Sequence, residues 1–235
     1  MPFPVTPELL SRARAFHRPS AVALLQNFYP VVSRVSQAIS GRGDAAAGIT
    51  RFVIGRSLRV LPKWNQEHTP ERWFYHHTVL TARRAARYKP DPKADLLVTA
   101  AGEQEPDPAY TAFVRGLRML PQQQAEAFLL NHGEKLDPRM MSVAMDCSVE
   151  AAANHLVAAT AALRAVTGDQ ATFEALTAKV AAAYGRLTPP EELSVPAVRR
   201  EISRYLWPRR LRRGALGLLV LFLLYVGYRL VRHWL

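Results

Sequence analysis

The sequence predicts an all-α protein in which a linker joins two small helical domains. Apolar residues recur every three or four positions over most of the chain, which is the period of a helix, and no segment alternates for long as a strand does. A segment rich in proline and acidic residues separates two helical halves. The length of 235 residues is sufficient for two small domains that each bury a core.

The first predicted domain covers residues 21–88 and contains three helices. Apolar periodicity starts at Ala21 and ends at a pair of glycines, a second run extends from Ile49 to the proline at 62, and a third begins near Pro70. Proline is well tolerated in a first helical turn. Residues 1–20 form an N-terminal extension without the apolar core of a secretory signal, so we expect the bulk of the chain in the cytoplasm.

The second predicted domain covers residues 109–166 and follows a linker at 89–108. Four helical patterns fit this domain, over 109–120, 121–133, 137–146 and 148–166. A helical and loop extension at 167–210 follows, with an Ala-rich helix, a loop from Leu187 to Pro196 and a short basic helix.

The last two helices of the second domain have the pattern of a helix-turn-helix. Met141, Ala144 and Met145 lie on one face of the first helix, and Asp146 and Cys147 fall in the turn. Ser148 is an N-cap residue for the next helix, whose predicted core face is Val149, Ala152 and Leu156. Any helical hairpin with small residues and a polar turn would give a similar pattern. Asp tolerates the left-handed conformation that such a turn needs better than most residues do.

With the preceding LRMLPQQQAEAFLLNHGEKL, this segment resembles region 4 of bacterial extracytoplasmic-function sigma factors. Upstream, LLQNFYPVVSRVSQAISGRGDAAAGITRFVIGRSLRVLPKW and PERWFYHHTVLTARRAAR resemble region 2 of the same family. The resemblance implies a protein without enzymatic activity or cofactor that binds core RNA polymerase and directs it to promoter DNA. An antagonist protein is a further candidate partner.

The resemblance and the residue types together select candidate site residues. Aromatic rings that stack on bases and arginines that neutralise phosphates suit a single strand. The candidate DNA-binding residues are Trp73, Phe74, His76, His77, Arg83, Arg84, Arg87, Ser148, Asn154 and His155. The candidate polymerase-binding residues are Arg51, Phe52 and Arg56. No metal site is predicted, since adjacent helical residues such as His76 and His77 point about 100° apart.

The sequence departs from the family in both regions. Where region 2 usually has an acidic face for the polymerase, this chain has Gly48, Arg51 and Phe52. The predicted recognition helix has Val and Ala where the family usually has arginines. The two halves also differ in charge. Residues 51–93 hold ten basic and three acidic side chains, whereas residues 109–165 hold five of each. The alternative function is therefore a helical adaptor that keeps the sigma fold without promoter recognition.

The C-terminal segment predicts a membrane span at 211–231. Residues 214–228 are uncharged, and the longer segment would extend about 31 Å against a hydrocarbon core of about 30 Å. Four arginines between 209 and 213 precede the uncharged part, which by the positive-inside rule leaves the N-terminal bulk in the cytoplasm. We therefore expect a single-pass protein of the cytoplasmic membrane that contacts the bilayer through this helix. The alternative is a C-terminal helix that packs against the body.

Overall fold

A computed structural model describes residues 5–65, 69–86, 91, 93–102 and 107–234; in the last helix, the side chains at 208–215, 217, 223 and 227–234 lie outside the description. Within these residues every regular element is a helix, which confirms the predicted all-α class. The helices are α1 (Pro7–Arg14), α2 (Arg18–Ser40), α3 (Gly43–Val60), α4 (Pro70–Ala85), α5 (Leu96–Thr99), α6 (Pro108–Met119), α7 (Gln122–His132), α8 (Pro138–Met145), α9 (Val149–Thr167), α10 (Gln170–Arg186) and α11 (Glu191–Trp234), with a 3₁₀ turn at Leu61–Lys63.

Local sequence signals account for most helix ends. The Thr69 side chain accepts a hydrogen bond from the Arg72 amide and so caps α4, and Pro70 occupies its first turn. Gly41 takes a left-handed conformation, with φ 67°, and ends α2. These caps satisfy backbone groups that a helix end would otherwise leave unpaired.

The N-terminal half is a three-helix core of α2, α3 and α4. Leu24, Val32, Val53 and Val79 are completely or almost completely buried in it. An aromatic cluster fills one part of this core, where the Phe28 and Phe74 rings stack with their centroids 4.6 Å apart. Close packing of this kind fixes the orientation of α4, which carries most of the candidate DNA-binding residues.

The segment predicted as an extended linker is partly folded. It contains α5, whose Leu97 and Val98 are buried. Asp95 caps α5 and also accepts two hydrogen bonds from Arg118 of α6, at 2.7 and 3.0 Å. Arg118 donates a third hydrogen bond to the carbonyl of Ile39 near the end of α2. This segment therefore packs against both halves of the chain. Its proline-rich composition did not predict this.

The predicted loop from Leu187 to Pro196 is mostly helical. α11 begins at Glu191, where the carbonyl of Pro190 accepts from the amides of Leu193 and Ser194. Two glutamates lie in its first turn, at the positive end of the helix dipole, where their negative charge stabilises the helix. Further along, Val198 and Ile202 are buried where α11 packs on α2 and α3. Tertiary packing of these two residues outweighs the local preference of the prolines for a loop.

The predicted membrane span at 211–231 is contradicted. Among the residues that the structure describes, none of the helices is long and apolar enough to cross a bilayer. The strictly uncharged part of the segment is 15 residues long, which at 1.5 Å per residue gives about 22 Å and falls short of the hydrocarbon core. The prediction of a single-pass protein of the cytoplasmic membrane is withdrawn with it.

Candidate nucleic-acid interface

Two helices joined by a tight turn, α8 and α9, lie where the sequence predicts a helix-turn-helix. α8 ends at Met145, and the next residue, Asp146, adopts a left-handed conformation with φ 59° and ψ 54°. The Ser148 hydroxyl then accepts a hydrogen bond from the Ala151 amide at 3.1 Å and caps α9. A carboxylate at a left-handed position costs less than a β-branched or bulky side chain would. The turn therefore closes without glycine.

The core face of α9 differs from the prediction at its start. Ala152 is buried, as expected, but Val149 is 45% exposed and Leu156 is only partly buried. Ala159 and Leu163 complete the buried face, since they lie two and three turns after Ala152. Val149 follows the cap directly, in the first turn of the helix, and keeps nearly half of its surface accessible.

The outer face of α9 is polar at one end and apolar at the other. Ser148 and Asn154 are exposed, and His155 is partly buried. Val157 is 68% exposed one turn after Asn154. The only arginine of this helix is Arg164 near its end, and its guanidinium lies 5.6 Å from the ring centre of Phe173. The face that would meet a DNA groove thus offers few cations for phosphates.

The aromatic candidates on α4 separate into a surface residue and a core residue. Trp73 is partly buried and contacts the rings of Trp64, Phe74 and His77 at centroid distances of 5.6, 5.2 and 4.3 Å. Phe74 has no exposed surface. Its selection as a DNA-binding residue is therefore corrected, because a completely buried ring cannot stack on a base. Trp73 keeps an accessible edge.

The two histidines of α4 have different surroundings. His76 makes a hydrogen bond of 3.0 Å through Nδ1 to the carbonyl of Val143, which links α4 to α8. His77 lies beside Trp73, and burial, followed by the nearby charges of His76 and Arg56, lowers its pKa to about 4. His77 is therefore neutral at physiological pH and offers a hydrogen bond or a ring face to a ligand, without a charge.

The three arginines of this segment do not share one environment. Arg83 is paired with Glu126 of α7 and with the carbonyl of Met145, the last residue of α8. Its charge also complements the negative end of the α8 dipole. Arg84 is exposed, and Arg87 lies outside the described residues. The arginine with a free path to phosphate is accordingly Arg84, whereas Arg83 holds the helix-turn-helix against α4.

The candidate polymerase-binding residues lie on the outer side of α3. Arg51, Phe52 and Arg56 are all exposed, and Phe52 keeps 52% of its surface accessible. Phe52 and Arg56 are four residues apart and lie on one face of the helix, whereas Arg51 points about 100° away from Phe52. α11 lies next to this side, because a Cβ atom on Gly55 would come within 4.0 Å of the Glu201 carboxylate.

Sequence reasoning missed a second buried charge pair that joins the two halves. Arg34 of α2 donates two hydrogen bonds to Glu134, which follows α7, at 2.6 and 2.8 Å. The Tyr75 hydroxyl donates a third to the same carboxylate at 3.1 Å. The two ends of the pair are 100 residues apart. No local pattern could therefore have indicated it.

Taken together, the fold and this geometry define an all-α protein with a helix-turn-helix held against a three-helix core. No protein-family model matches the chain, and no curated protein matches it.

Proposed function

We propose that the chain is a sigma-factor-like protein of transcription initiation that binds core RNA polymerase and directs it to promoter DNA, without enzymatic activity of its own. The observation that carries the proposal is the geometry of the helix-turn-helix. Its turn is closed by left-handed Asp146, its second helix is capped by Ser148, and Asn154 on that helix is exposed. Such a hairpin can present the start of its second helix to a DNA groove.

The outer side of α3 supports the polymerase-binding part of the proposal. Phe52 and the two arginines beside it are all exposed, and phenylalanine and arginine are residue types that are enriched in protein interfaces. Phe52 would supply the apolar contact area, and Arg51 and Arg56 would pair with acidic groups of the partner. The basic character of this surface requires an acidic partner surface.

The outer side of α4 supports contact with a single DNA strand. Trp73 and His77 offer ring faces and edges, and Arg84 offers a cation two to three turns away. Stacking on an aromatic ring contributes about 1–3 kcal/mol per base, and it needs no particular sequence. Arg83 does not contact DNA in this proposal, because its guanidinium already binds Glu126. Its role is to hold α4 in position against α7.

A specific observation favours the second candidate, a helical adaptor without promoter recognition. The outer face of α9 has the exposed Val157 where a DNA-reading helix would gain from a cation. Exposed apolar side chains next to polar ones suit a protein partner better than a phosphate backbone. The adaptor would retain the α3 surface and lose the DNA contacts of α9.

Recovery of core RNA polymerase with the full-length, affinity-tagged chain tests the proposal. We expect the polymerase subunits to be retained at moderate salt, and retention to fall when Phe52 and Arg56 are both replaced by Ala. A matched control replaces Val157 and Asn154 of α9 by Ala and should retain the polymerase. If the wild-type chain retains no more polymerase than an unrelated basic protein does, the sigma-like function is wrong.

Promoter binding by the reconstituted complex separates the two candidates. A sigma-like protein should give a sequence-dependent footprint or anisotropy change on promoter DNA, and the Asn154→Ala variant should weaken it. An adaptor should leave the polymerase without a gain in promoter preference. Equal binding to promoter and scrambled DNA, with the polymerase retained, would favour the adaptor.

A further inference from the structure

The outer face of α9 carries a line of exposed side chains at regular spacing. Val157 is 68% exposed, and Glu150 and Arg164, which lie seven residues before it and seven residues after it, are exposed as well. Because seven residues make almost two whole turns, these three side chains lie along one line on the helix surface. The line has an acid at one end, an apolar residue at its centre and a base at the other end.

The order of charges along this line makes it complementary to a second copy of itself. When two α9 helices pair antiparallel about a twofold axis at Val157, Glu150 of each copy lies opposite Arg164 of the other copy. A parallel pair would instead bring like charges together, which is unfavourable. The two helix dipoles also oppose each other in the antiparallel pair. Charge therefore selects a second copy of the chain in the antiparallel orientation.

The side chains between the two charges are small enough for a close approach. In the same pairing Ala153 faces Ala161, and Asn154 faces Thr160. Asn154 and Ala161 are exposed, and the other two are partly exposed. Small residues at a helix contact allow the axes to approach to the lower part of the usual range of about 8–10 Å. The Asn154 amide and the Thr160 hydroxyl can hydrogen-bond to each other, so the polar groups of the contact have partners.

The contact of Arg164 with Phe173 favours the same pairing. The guanidinium lies 5.6 Å from the ring centre of Phe173, which belongs to α10. A guanidinium that lies over a ring contacts it through its flat face and keeps N–H groups at its edge, where they can donate to a carboxylate. The ring also restricts the arginine side chain, which reduces the entropy that is lost when the ion pair forms.

We propose that the outer face of α9 is the interface of a symmetric homodimer, in which two α9 helices pair antiparallel about Val157 and form two Glu150–Arg164 ion pairs. The dimer is independent of the proposed function, although it covers Asn154 and so competes with DNA for this face. The line from Glu150 to Arg164 is about 21 Å long, so the interface is small beside the roughly 800 Å² per partner of a standard complex. The dimer is therefore weak, with a Kd on the order of 100 μM.

Charge reversal tests the pairing, with self-association of the full-length chain measured by sedimentation equilibrium. Glu150→Arg and Arg164→Glu should each weaken the dimer about tenfold, because each replaces two attractive pairs by two repulsive ones. The variant with both substitutions should recover the wild-type affinity. Glu192→Arg, which makes the same change of charge on α11, serves as the control and should leave the Kd unchanged. A wild-type chain that stays monomeric at about 500 μM, or a double variant that associates no better than the single ones, would overturn the proposal.

Cysteine cross-linking locates the twofold axis, in a chain whose single native thiol is removed by Cys147→Ser. Val157→Cys should give a disulfide-linked dimer under mild oxidation, because the two copies of this residue face each other at the axis. Val166→Cys is the matched control, since Val166 is also exposed but points about 180° away from Val157, and it should stay monomeric. Cross-linking of both variants to the same extent, or of neither, would refute the axis at Val157. If a charge-reversal variant loses helicity by circular dichroism, the cross-linking comparison decides.

Discussion

The guanidinium of Arg83 donates hydrogen bonds of 3.0 and 2.7 Å to the two carboxylate oxygens of Glu126, across the contact between α4 and α7. The Glu126 side chain is 1% exposed, so the pair is largely withdrawn from water. A further bond from Arg83 to the carbonyl of Met145 brings the end of α8 into the same cluster. Arg83 therefore ties both α7 and the end of α8 to α4.

Removal of either partner of this pair should destabilise the fold. Arg83→Ala leaves the Glu126 carboxylate buried without its cation, and an uncompensated buried charge costs about 3–5 kcal/mol. We expect a decrease of that order in the free energy of unfolding in urea. Arg84→Ala, the exposed neighbour, should change it by less than about 0.5 kcal/mol. Equal effects of the two substitutions would mean that the buried pair of Arg83 and Glu126 adds no more to stability than an exposed arginine does.

Gly133 should not accept a side chain. A Cβ atom there would lie 2.5 Å from the Tyr184 ring and 2.6 Å from the carbonyl of Leu129. Gly133→Ala should therefore destabilise the protein by about 1–3 kcal/mol, as overpacking does. A Cβ atom on Gly185 would meet no atom within 4 Å, so Gly185→Ala should be neutral or stabilise α10 by up to about 1 kcal/mol. Thermal unfolding of both variants measures the difference, and a tolerated Gly133→Ala would contradict the close contact with Tyr184.

The left-handed turn residue gives a third prediction. Asp146 has φ 59°, a region in which glycine has no Cβ penalty. Asp146→Gly should keep the fold at nearly unchanged stability, whereas Asp146→Val should cost about 1–2 kcal/mol or more. Chemical denaturation followed by circular dichroism compares the two. A valine variant as stable as the wild type would show that the turn can close in another conformation.

His77 should make stability depend on pH. Its folded pKa, about 4, lies below its ordinary value of 6.5, because burial and the charges of His76 and Arg56 disfavour the protonated ring. Between pH 6.5 and 4 the unfolded chain binds the proton more readily, so stability falls as the pH falls through this range and is fully present above it. Since the ring is partly exposed, solvent reduces the size of the effect.

His77→Gln should flatten this part of the pH profile. The free energy of unfolding measured at about pH 7 and about pH 4.5 should differ less in the variant than in the wild type. Part of the dependence should remain, because burial and Lys135 also lower the pKa of His132. A variant whose profile matches that of the wild type would place the titrating group elsewhere.

Contact with single-stranded DNA should depend on Arg84 of α4 and not on Arg200 of α11. Arg84→Ala should reduce the slope of log affinity against log salt by about 0.7, the value for one phosphate contact on a single strand. Arg200→Ala, an equally exposed arginine on α11, serves as the control and should leave the slope unchanged. Fluorescence anisotropy with a short labelled strand at several salt concentrations measures both. The proposed α4 contact fails if the two variants give the same slope.

By itself, the sequence determined what depends on near neighbours in the chain. Apolar periodicity located the helices of both halves, and Ser148 as a cap and Pro70 in a first turn marked two of their starts. The left-handed turn at Asp146 was also predictable, because its backbone conformation depends mainly on its own side chain. These signals are short-range, so a single sequence carries them.

Only the tertiary structure decided which of these residues are buried and what they pair with. Phe74 and Trp73 are adjacent, yet Phe74 is completely buried and Trp73 keeps an accessible edge. Arg83 and Arg84 are adjacent as well, yet Arg83 pairs with a residue 43 positions away and Arg84 is exposed. Burial and ion pairing depend on how distant helices pack, and the hydrophobic and electrostatic gains of that packing outweigh local preference. The helix at Glu191–Pro196, where the prolines predicted a loop, has the same cause.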